Sequence, residues 1–135
     1  MTGLTHMAVA SVIYRRGGLP APVLLAAGFG SHFFLDRIPH YELGLGVNLA
    51  LGLAGGLLLL RLAVRDRDLL LPVAAVIGLL PDILMQPGIS SGFKAFHDFC
   101  HFKGSPVSPL MLVTEFAVTA ACLLVLFQRK ERRGG

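Results

Sequence analysis

The stretch LGLGVNLALGLAGGLLLL (residues 43–60) contains no ionisable side chain, and it decides the fold class of this chain. A helix needs roughly twenty predominantly apolar residues to cross the hydrocarbon core of a bilayer. The stretch does not alternate between apolar and polar residues, as a half-buried strand would. Together with the two residues that follow it, the segment 43–62 is therefore predicted to be a membrane-spanning helix.

Three further apolar segments have a similar length, at residues 19–38, 69–86 and 107–128. A fifth, residues 4–16, is apolar but would cover only about 20 Å as a helix. Charged residues make up 15% of the chain, against about 25% in a typical soluble domain. Because only helices and closed barrels satisfy their backbone in lipid, we predict an all-α integral membrane bundle of four to five helices. Residues 1–135 are expected to form it as a single domain, with membrane lipid as its surroundings.

A short amphipathic helix is predicted between the last two spans, at SGFKAFHDFCHF (91–102). Its alternation of apolar and polar residues is typical of helices that lie at the membrane interface. Four phenylalanines recur in it at three-residue spacing, which indicates one apolar edge facing the membrane or the bundle core. They are Phe93, Phe96, Phe99 and Phe102.

The distribution of the basic residues predicts the orientation of the chain in the membrane. The formal net charge is +4 and the sequence pI about 9.6, but the basic residues occur in short clusters between apolar runs, so no nucleic-acid partner is expected. If the spans alternate in direction, nine of the twelve fall on one side. These nine are Arg15, Arg16, Arg61, Arg65, Arg67, Arg129, Lys130, Arg132 and Arg133, and the other three are Arg37, Lys94 and Lys103. The positive-inside rule then predicts a cytoplasmic C-terminus and an N-terminus on the outer side.

All five histidines fall on the outer side under this topology, together with two aspartates. They are His6, His32, His40, His97 and His101, with Asp36 and Asp82. The pairs His32/Asp36 and His97/His101 are four residues apart, so each pair shares one helix face. Ionisable groups at membrane depth are costly and usually functional. Mixed histidine and aspartate ligands suit a divalent metal, foremost zinc, with manganese or iron as alternatives.

Two further carboxylates are candidates for catalysis. Glu115 lies about two turns into the last span, where it could act as a ligand, as a general base or as the partner of Arg37 or a histidine. Asp98 lies between the two late histidines and is the other candidate base. A general base must reach the proton that it removes, so the position of either residue relative to the metal decides its role.

Short motifs resemble a known family. LTHMAVA (4–10), GLLPDIL (78–84) and the late histidine pair resemble the LexA-regulated inner-membrane metal-dependent hydrolases. The resemblance implies a bacterial inner-membrane hydrolase whose site includes His6, Asp82, His97 and His101. The His32/Asp36 spacing is also loosely similar to that of the zinc-dependent phospholipase C and nuclease superfamily. After Asp82 this chain has ILMQ in place of the family's usual second Asp and His, and His32, Asp36 and His40 could supply the missing ligands.

The expected function is therefore a membrane-embedded metal-dependent hydrolase with its site at the outer interface. A metal-activated water would attack a phosphoester, and the interfacial position suits a lipid head group. Two alternatives stay open at this point: a metal- or haem-binding membrane protein without catalysis, and a structural or assembly protein. The sequence leaves the oligomeric state open.

Overall fold

The computed structural model describes residues 1–85, 90–103 and 108–128, which form six α-helices. The helices are α1 (Gly3–Arg16), α2 (Ala21–Arg37), α3 (Leu45–Asp66), α4 (Leu70–Leu84), α5 (Ser91–Cys100) and α6 (Pro109–Phe127). No strand occurs among the described residues, so the all-α prediction is confirmed. The predicted helix ends at residues 86 and 107 lie outside the described ranges.

Local sequence explains where the helices begin and end. Against the predicted bounds 4–16, 19–38, 43–62, 69–86, 91–102 and 107–128, the described ends at residues 16 and 91 agree, and the others move by one to four residues. Ser90 caps α5, because its side chain accepts a hydrogen bond from the Phe93 N–H at 3.2 Å. Helix α2 ends at Arg37 and Ile38 is extended, since the residue before a proline disfavours helical backbone.

Helix α3 continues four residues beyond its predicted end at residue 62, so the first six residues of the charged stretch RLAVRDRD (61–68) are helical. Leucine, alanine and arginine are good helix formers, and no glycine or proline interrupts the stretch. The helix ends at Arg67, whose φ of 53° is left-handed. Arg15 forms an ion pair with Asp66, and the Tyr14 hydroxyl donates to Asp68 at 2.7 Å. These contacts fasten the end of α3 to the end of α1.

Two helices, α3 and α6, are long and apolar enough to cross a membrane, whereas α2 and α4 have only 17 and 15 residues. Only 22% of the apolar window of α3, and 17% of that of α6, is buried inside the chain. Along α3, Leu45, Leu49, Leu53 and Leu57 form a row at four-residue spacing, each at least 57% exposed. A core helix of a soluble protein would bury such a row.

Helix α1 lies at the centre of the bundle and contacts α2, α3, α4 and α6. Small residues permit its close approach to the neighbouring helices. A Cβ added to Gly78 of α4 would lie 2.6 Å from both the Ala10 Cβ and the His6 carbonyl oxygen. A Cβ added to Gly28 of α2 would lie 3.2 Å from the same Ala10 Cβ. The N-terminal half of α1 is therefore held tightly against α2 and α4.

The bundle has one basic end, where the C-terminal ends of α1, α3 and α6 meet. Arg16 donates to the carbonyl oxygens of Val125 and Gln128 at 2.7 and 3.1 Å. The basic residues predicted for this end at positions 129–133 lie outside the described ranges. At the opposite end, the N-terminus of α1 meets the C-terminal ends of α2 and α4, and α5 packs against α2 and α4. All five histidines belong to that end.

Candidate metal centre

Four helices bring histidine and aspartate side chains together at the end opposite the arginines. This His/Asp cluster consists of His6 from α1, His32 and Asp36 from α2, Asp82 from α4 and His97 from α5. Four of the five residues are at most 2% exposed, whereas the Asp82 side chain is 31% exposed. The cluster is thus buried in the bundle and reaches solvent at Asp82.

The Asp36 carboxylate lies at the centre of the cluster. Its Oδ2 atom is 3.1 Å from His32 Nε2 and 3.2 Å from His97 Nε2. Its Oδ1 atom is 3.1 Å from His6 Nε2, although that nitrogen has no hydrogen bond of acceptable geometry within the described residues. The two carboxylate oxygens thus face different imidazoles. In this arrangement one carboxylate can contribute ligand atoms to two neighbouring metal sites.

Four ligand atoms of the cluster surround one point. His32 Nε2 lies 3.0 Å from His97 Nε2 and 3.4 Å from Asp82 Oδ1, which in turn is 3.5 Å from His97 Nε2. The ligand atoms of these residues and Asp36 all lie within 4.8 Å of one another. Tetrahedral zinc with bonds of about 2.0–2.1 Å would hold its ligand atoms about 3.3–3.4 Å apart. The separations of 3.0–3.5 Å among His32, Asp82 and His97 are therefore close to those around a single ion.

The backbone orients His32 for this role. Its Nδ1 atom lies 3.0 Å from the Gly78 carbonyl oxygen. Because a carbonyl can only accept, Nδ1 must carry the proton, which in the neutral ring leaves the Nε2 lone pair facing the cluster. Hydrogen bonds of this kind, made by the ring nitrogen that does not face the metal, fix the tautomer of metal-binding histidines. Gly78 therefore contributes both close helix packing and the carbonyl that orients His32.

Two carboxylates also raise the pKa of the His97 ring. A hydrogen bond from its ring to Asp36, and a second to Asp82, raise the pKa of His97 to about 9 from its ordinary 6.5. A proton on this ring lies between two carboxylates and faces a second imidazole, which is the position that a cation prefers. Metal ligands must be deprotonated, so a bound divalent cation would replace that proton.

A second group of ligand atoms adjoins the first and shares Asp36 with it. Asp36, His40 and His101 offer ligand atoms within 4.8 Å of one another. The Nδ1 atoms of His40 and His101 face the carbonyl oxygens of Ile38 and Phe102 at 2.8 and 3.3 Å. Both rings thus direct Nε2 away from the backbone, and burial lowers the pKa of His40. All seven predicted ligands therefore lie at one end of the bundle.

His6 is the predicted ligand that belongs to neither group of mutually close ligand atoms. Its ring stacks on that of His32 with centroids 3.9 Å apart. It contacts the Asp36 oxygen that His32 and His97 do not use. The structure therefore places His6 in contact with two candidate ligands, His32 and Asp36.

Asp98 lies apart from the cluster. Its carboxylate pairs with Lys94 at 2.7 Å on an exposed face of α5, and a hydrogen bond from Lys94 lowers the pKa of Asp98. The side chains of Asp98 and Lys94 are 49% and 53% exposed. Its neighbour His97 points into the cluster instead, because consecutive residues of a helix face different directions. The catalytic role of Asp98 stays a prediction.

Glu115 belongs to a separate buried set of hydroxyl groups. Its Oε1 atom accepts hydrogen bonds from the Thr2 N–H at 2.5 Å and from the Thr5 hydroxyl at 3.0 Å. The Thr5 hydroxyl is also 2.8 Å from the Thr119 hydroxyl. These contacts link α1 to α6. Sequence reasoning missed the partners of Glu115, although Thr119 four residues later in α6 and the threonines near the start of α1 were the available signal.

Replacing Thr5 with valine is expected to lower the free energy of unfolding by about 1–3 kcal/mol, because Glu115 and Thr119 would each lose a buried hydrogen-bond partner. Valine has nearly the same volume, so packing changes little. Thermal unfolding in detergent measures the effect. Thr114→Val is the matched control, since that exposed hydroxyl bonds only to the Leu110 carbonyl of its own helix. Equal stability of the two variants would show that the hydroxyl set does not stabilise the bundle.

No protein-family model, curated protein or solved structure matches this chain. The resemblance to LexA-regulated inner-membrane hydrolases therefore stays a prediction based on short motifs. What the structure adds is independent of it: a His/Asp cluster able to hold a metal ion, in an all-helical chain with two helices that could cross a membrane.

Proposed function

We propose that this chain is a membrane-embedded metal-dependent hydrolase that acts on a phosphoester, with a lipid head group as the favoured substrate. The observation that carries the proposal is the set of four ligand atoms of His32, Asp36, Asp82 and His97, spaced as around one ion. Two imidazoles with two carboxylates suit zinc, and manganese or iron are the alternatives. Asp36, His40 and His101 would hold a second ion or orient the first.

Membrane insertion is supported by the exposed leucine row of α3 and by the separation of charge along the bundle. The arginines at the ends of α1 and α3 lie away from the His/Asp cluster. Basic residues accumulate on the cytoplasmic side of membrane proteins. We infer that the arginine end and the C-terminus are cytoplasmic, and that the cluster opens at the outer interface of a bacterial inner membrane.

Hydrolysis requires water, substrate and a path for a proton. A bound divalent cation would lower the pKa of a water molecule and stabilise charge on a phosphoryl oxygen. The water oxygen bonds to phosphorus, the bond from phosphorus to the alcohol oxygen breaks, and one proton passes from the water to that oxygen. Asp82 is the one partly exposed member of the cluster. We therefore place the entry of water at Asp82, where water would bind the ion as a fifth ligand and the Asp82 oxygen other than Oδ1 would accept the proton and pass it on.

The haem alternative has little support from the geometry. Two imidazoles that hold a haem lie on opposite faces of a porphyrin. Here the Nε2 atoms of His32 and His97 are 3.0 Å apart and Asp36 lies 3.1–3.2 Å from both, so no plane for a porphyrin separates the rings. In a purely structural role, the N-terminal ammonium, 3.1 Å from Asp36 Oδ1, and protonated imidazoles would pair with the buried carboxylates, and the site would need no metal.

Metal content and hydrolysis test the proposal together. Protein purified in maltoside micelles is expected to retain zinc after dialysis and to hydrolyse bis(p-nitrophenyl) phosphate. His97→Ala should lower both by at least about 100-fold, because it removes a direct ligand, whereas second-shell changes cost 10–100-fold. Lys94→Gln, on an exposed face of the same helix, is the control. Zinc binding without hydrolysis would leave a metal-binding protein, and absence of metal from the wild-type protein would refute the proposal.

A further inference from the structure

Beside the His/Asp cluster the surface forms a cavity of about 360 Å³. It is lined by Arg37, Phe99, His101, Phe102 and Lys103. We propose that this cavity, referred to as the Arg37 cavity, binds the phosphate group of an anionic amphiphile, the class of molecule that the proposed hydrolase would act on. The inference rests on the proposed function and assigns the substrate's charged group to residues outside the metal ligands.

Charge favours an anion in the Arg37 cavity. Arg37 and Lys103 line it, and its described lining residues include no carboxylate, although the Glu42 carboxylate lies 3.5 Å from His101 Nε2. Within the described residues, Arg37 has no carboxylate within ion-pair distance, although Asp36 is its neighbour in sequence and directs its side chain into the cluster. The Arg37 Nη1 atom donates to the Phe99 carbonyl oxygen at 3.1 Å. This bond orients the guanidinium, whose remaining N–H groups suit the oxygens of a phosphate.

The Arg37 cavity is joined to the metal centre through two residues. His101 lines the cavity and also belongs to the ligand group with Asp36 and His40. The backbone N–H of Phe102 donates to the Asp36 carbonyl oxygen at 2.8 Å, so the chain after α5 is fastened to the end of α2. A phosphate held by Arg37 would therefore lie next to the ligands. This is the separation of roles that hydrolysis needs, with one group binding the anion and another set placing the water.

Apolar surface on the same cavity favours an amphiphile over free phosphate. Phe99 is 70% exposed, and its ring lies 5.7 Å from the Arg37 guanidinium carbon. Phe96, one turn before it on α5 and not among the residues that line the cavity, is 51% exposed. At the membrane interface these rings would contact acyl or isoprenyl chains while the arginine contacts the head group. This position of aromatic and basic residues is typical of membrane interfaces.

Anion titrations of metal-free and zinc-loaded protein in dodecyl maltoside test the proposal. The probes are inorganic phosphate, dioctanoyl phosphatidic acid and dioctanoyl phosphatidylcholine. We expect phosphatidic acid to bind more tightly than phosphate, and phosphatidylcholine least tightly. Arg37→Gln should weaken binding of phosphate and phosphatidic acid by at least about tenfold, because glutamine cannot make charge-assisted hydrogen bonds to the phosphate oxygens. Arg37→Lys should recover part of the loss, and Lys94→Gln should bind as the wild type does.

The readouts separate this inference from a structural role of Arg37 and from the proposed function. Zinc content of Arg37→Gln should equal that of the wild type, since Arg37 is not a ligand. If Arg37→Gln does not fold, Lys103→Gln takes its place, with an expected loss of about threefold or more in phosphate affinity. Wild-type affinity in these variants would overturn the inference. If the protein binds no zinc but Arg37→Gln still weakens phosphate binding, the Arg37 cavity stands and the hydrolase proposal falls.

Discussion

Replacing Asp36 with asparagine is expected to reduce the affinity of the protein for zinc by at least about 100-fold, more than a second-shell change would. Asp36 is 1% exposed, and its oxygens lie 3.1–3.2 Å from the Nε2 atoms of three imidazoles. Asparagine preserves the shape of the side chain but removes the negative charge that offsets a buried cation. Because Asp36 belongs to both groups of ligand atoms, the change affects the whole centre.

Competition with a chromophoric zinc chelator measures the affinity, and circular dichroism checks the helical content. Asp98→Asn is the matched control, since it makes the same change on an exposed face of α5. If Asp36→Asn does not fold, Asp82→Asn carries the test with an expected loss of at least about tenfold. The idea of an Asp36-centred metal site fails if Asp36→Asn and Asp98→Asn bind zinc equally well.

The second large effect is expected from a single methyl group. Gly78→Ala should lower the free energy of unfolding by about 1–3 kcal/mol, because overpacking a tight contact forces the backbone to shift. The new Cβ would lie 2.6 Å from the His6 carbonyl oxygen, which is backbone and cannot rotate away. The shift would also move the Gly78 carbonyl that orients His32, 3.0 Å away. Zinc affinity should therefore fall by about 10–100-fold, as for a second-shell change.

Gly56→Ala is the control for Gly78→Ala. It makes the same change inside a helix, but an added Cβ at Gly56 would meet nothing within 4 Å. Alanine is the better helix former by about 1 kcal/mol, so Gly56→Ala should be neutral or slightly stabilising. Thermal unfolding and the chelator competition are measured on both variants. Equal stability and equal zinc affinity would show that α1 and α4 are not packed as described.

Several features followed from local sequence alone. The spacing of His32 and Asp36 places them on one face of α2 because the helical repeat is a property of the backbone. The apolar runs predicted an all-helical chain, and the described residues confirm it. The distribution of arginines predicted that the histidines would gather at the end away from Arg15 and Arg16, and they do. Each of these features depends on the spacing of nearby residues or on the distribution of residue types along the chain.

Other features depended on which helices pack together. Asp36, Asp98 and Glu115 are all acids in helices, yet they meet imidazoles, a lysine and threonine hydroxyls respectively. Lys94 lies four residues from Asp98 in the same helix, but His6 and His97 beside Asp36, and Thr2 and Thr5 beside Glu115, are distant in sequence. The extension of α3 through Asp66 was missed although its leucine, alanine and arginine favour a helix. A charged stretch resembles a connection until the pairing of Arg15 with Asp66 shows that its partner lies on another helix.

The sequence by itself therefore determined that this chain is helical and that its histidines share one end, whereas of the four to five predicted spans only two described helices, α3 and α6, have the length and composition to cross a membrane. Only the tertiary structure decided which of the histidines form a site. Gly78 and Gly56 illustrate the physical reason. Both are helical glycines, but one lies against the backbone of α1 and the other faces open space. Helix periodicity is encoded residue by residue, whereas the distances between Asp36, Asp82 and His97 exist only after α2, α4 and α5 have packed.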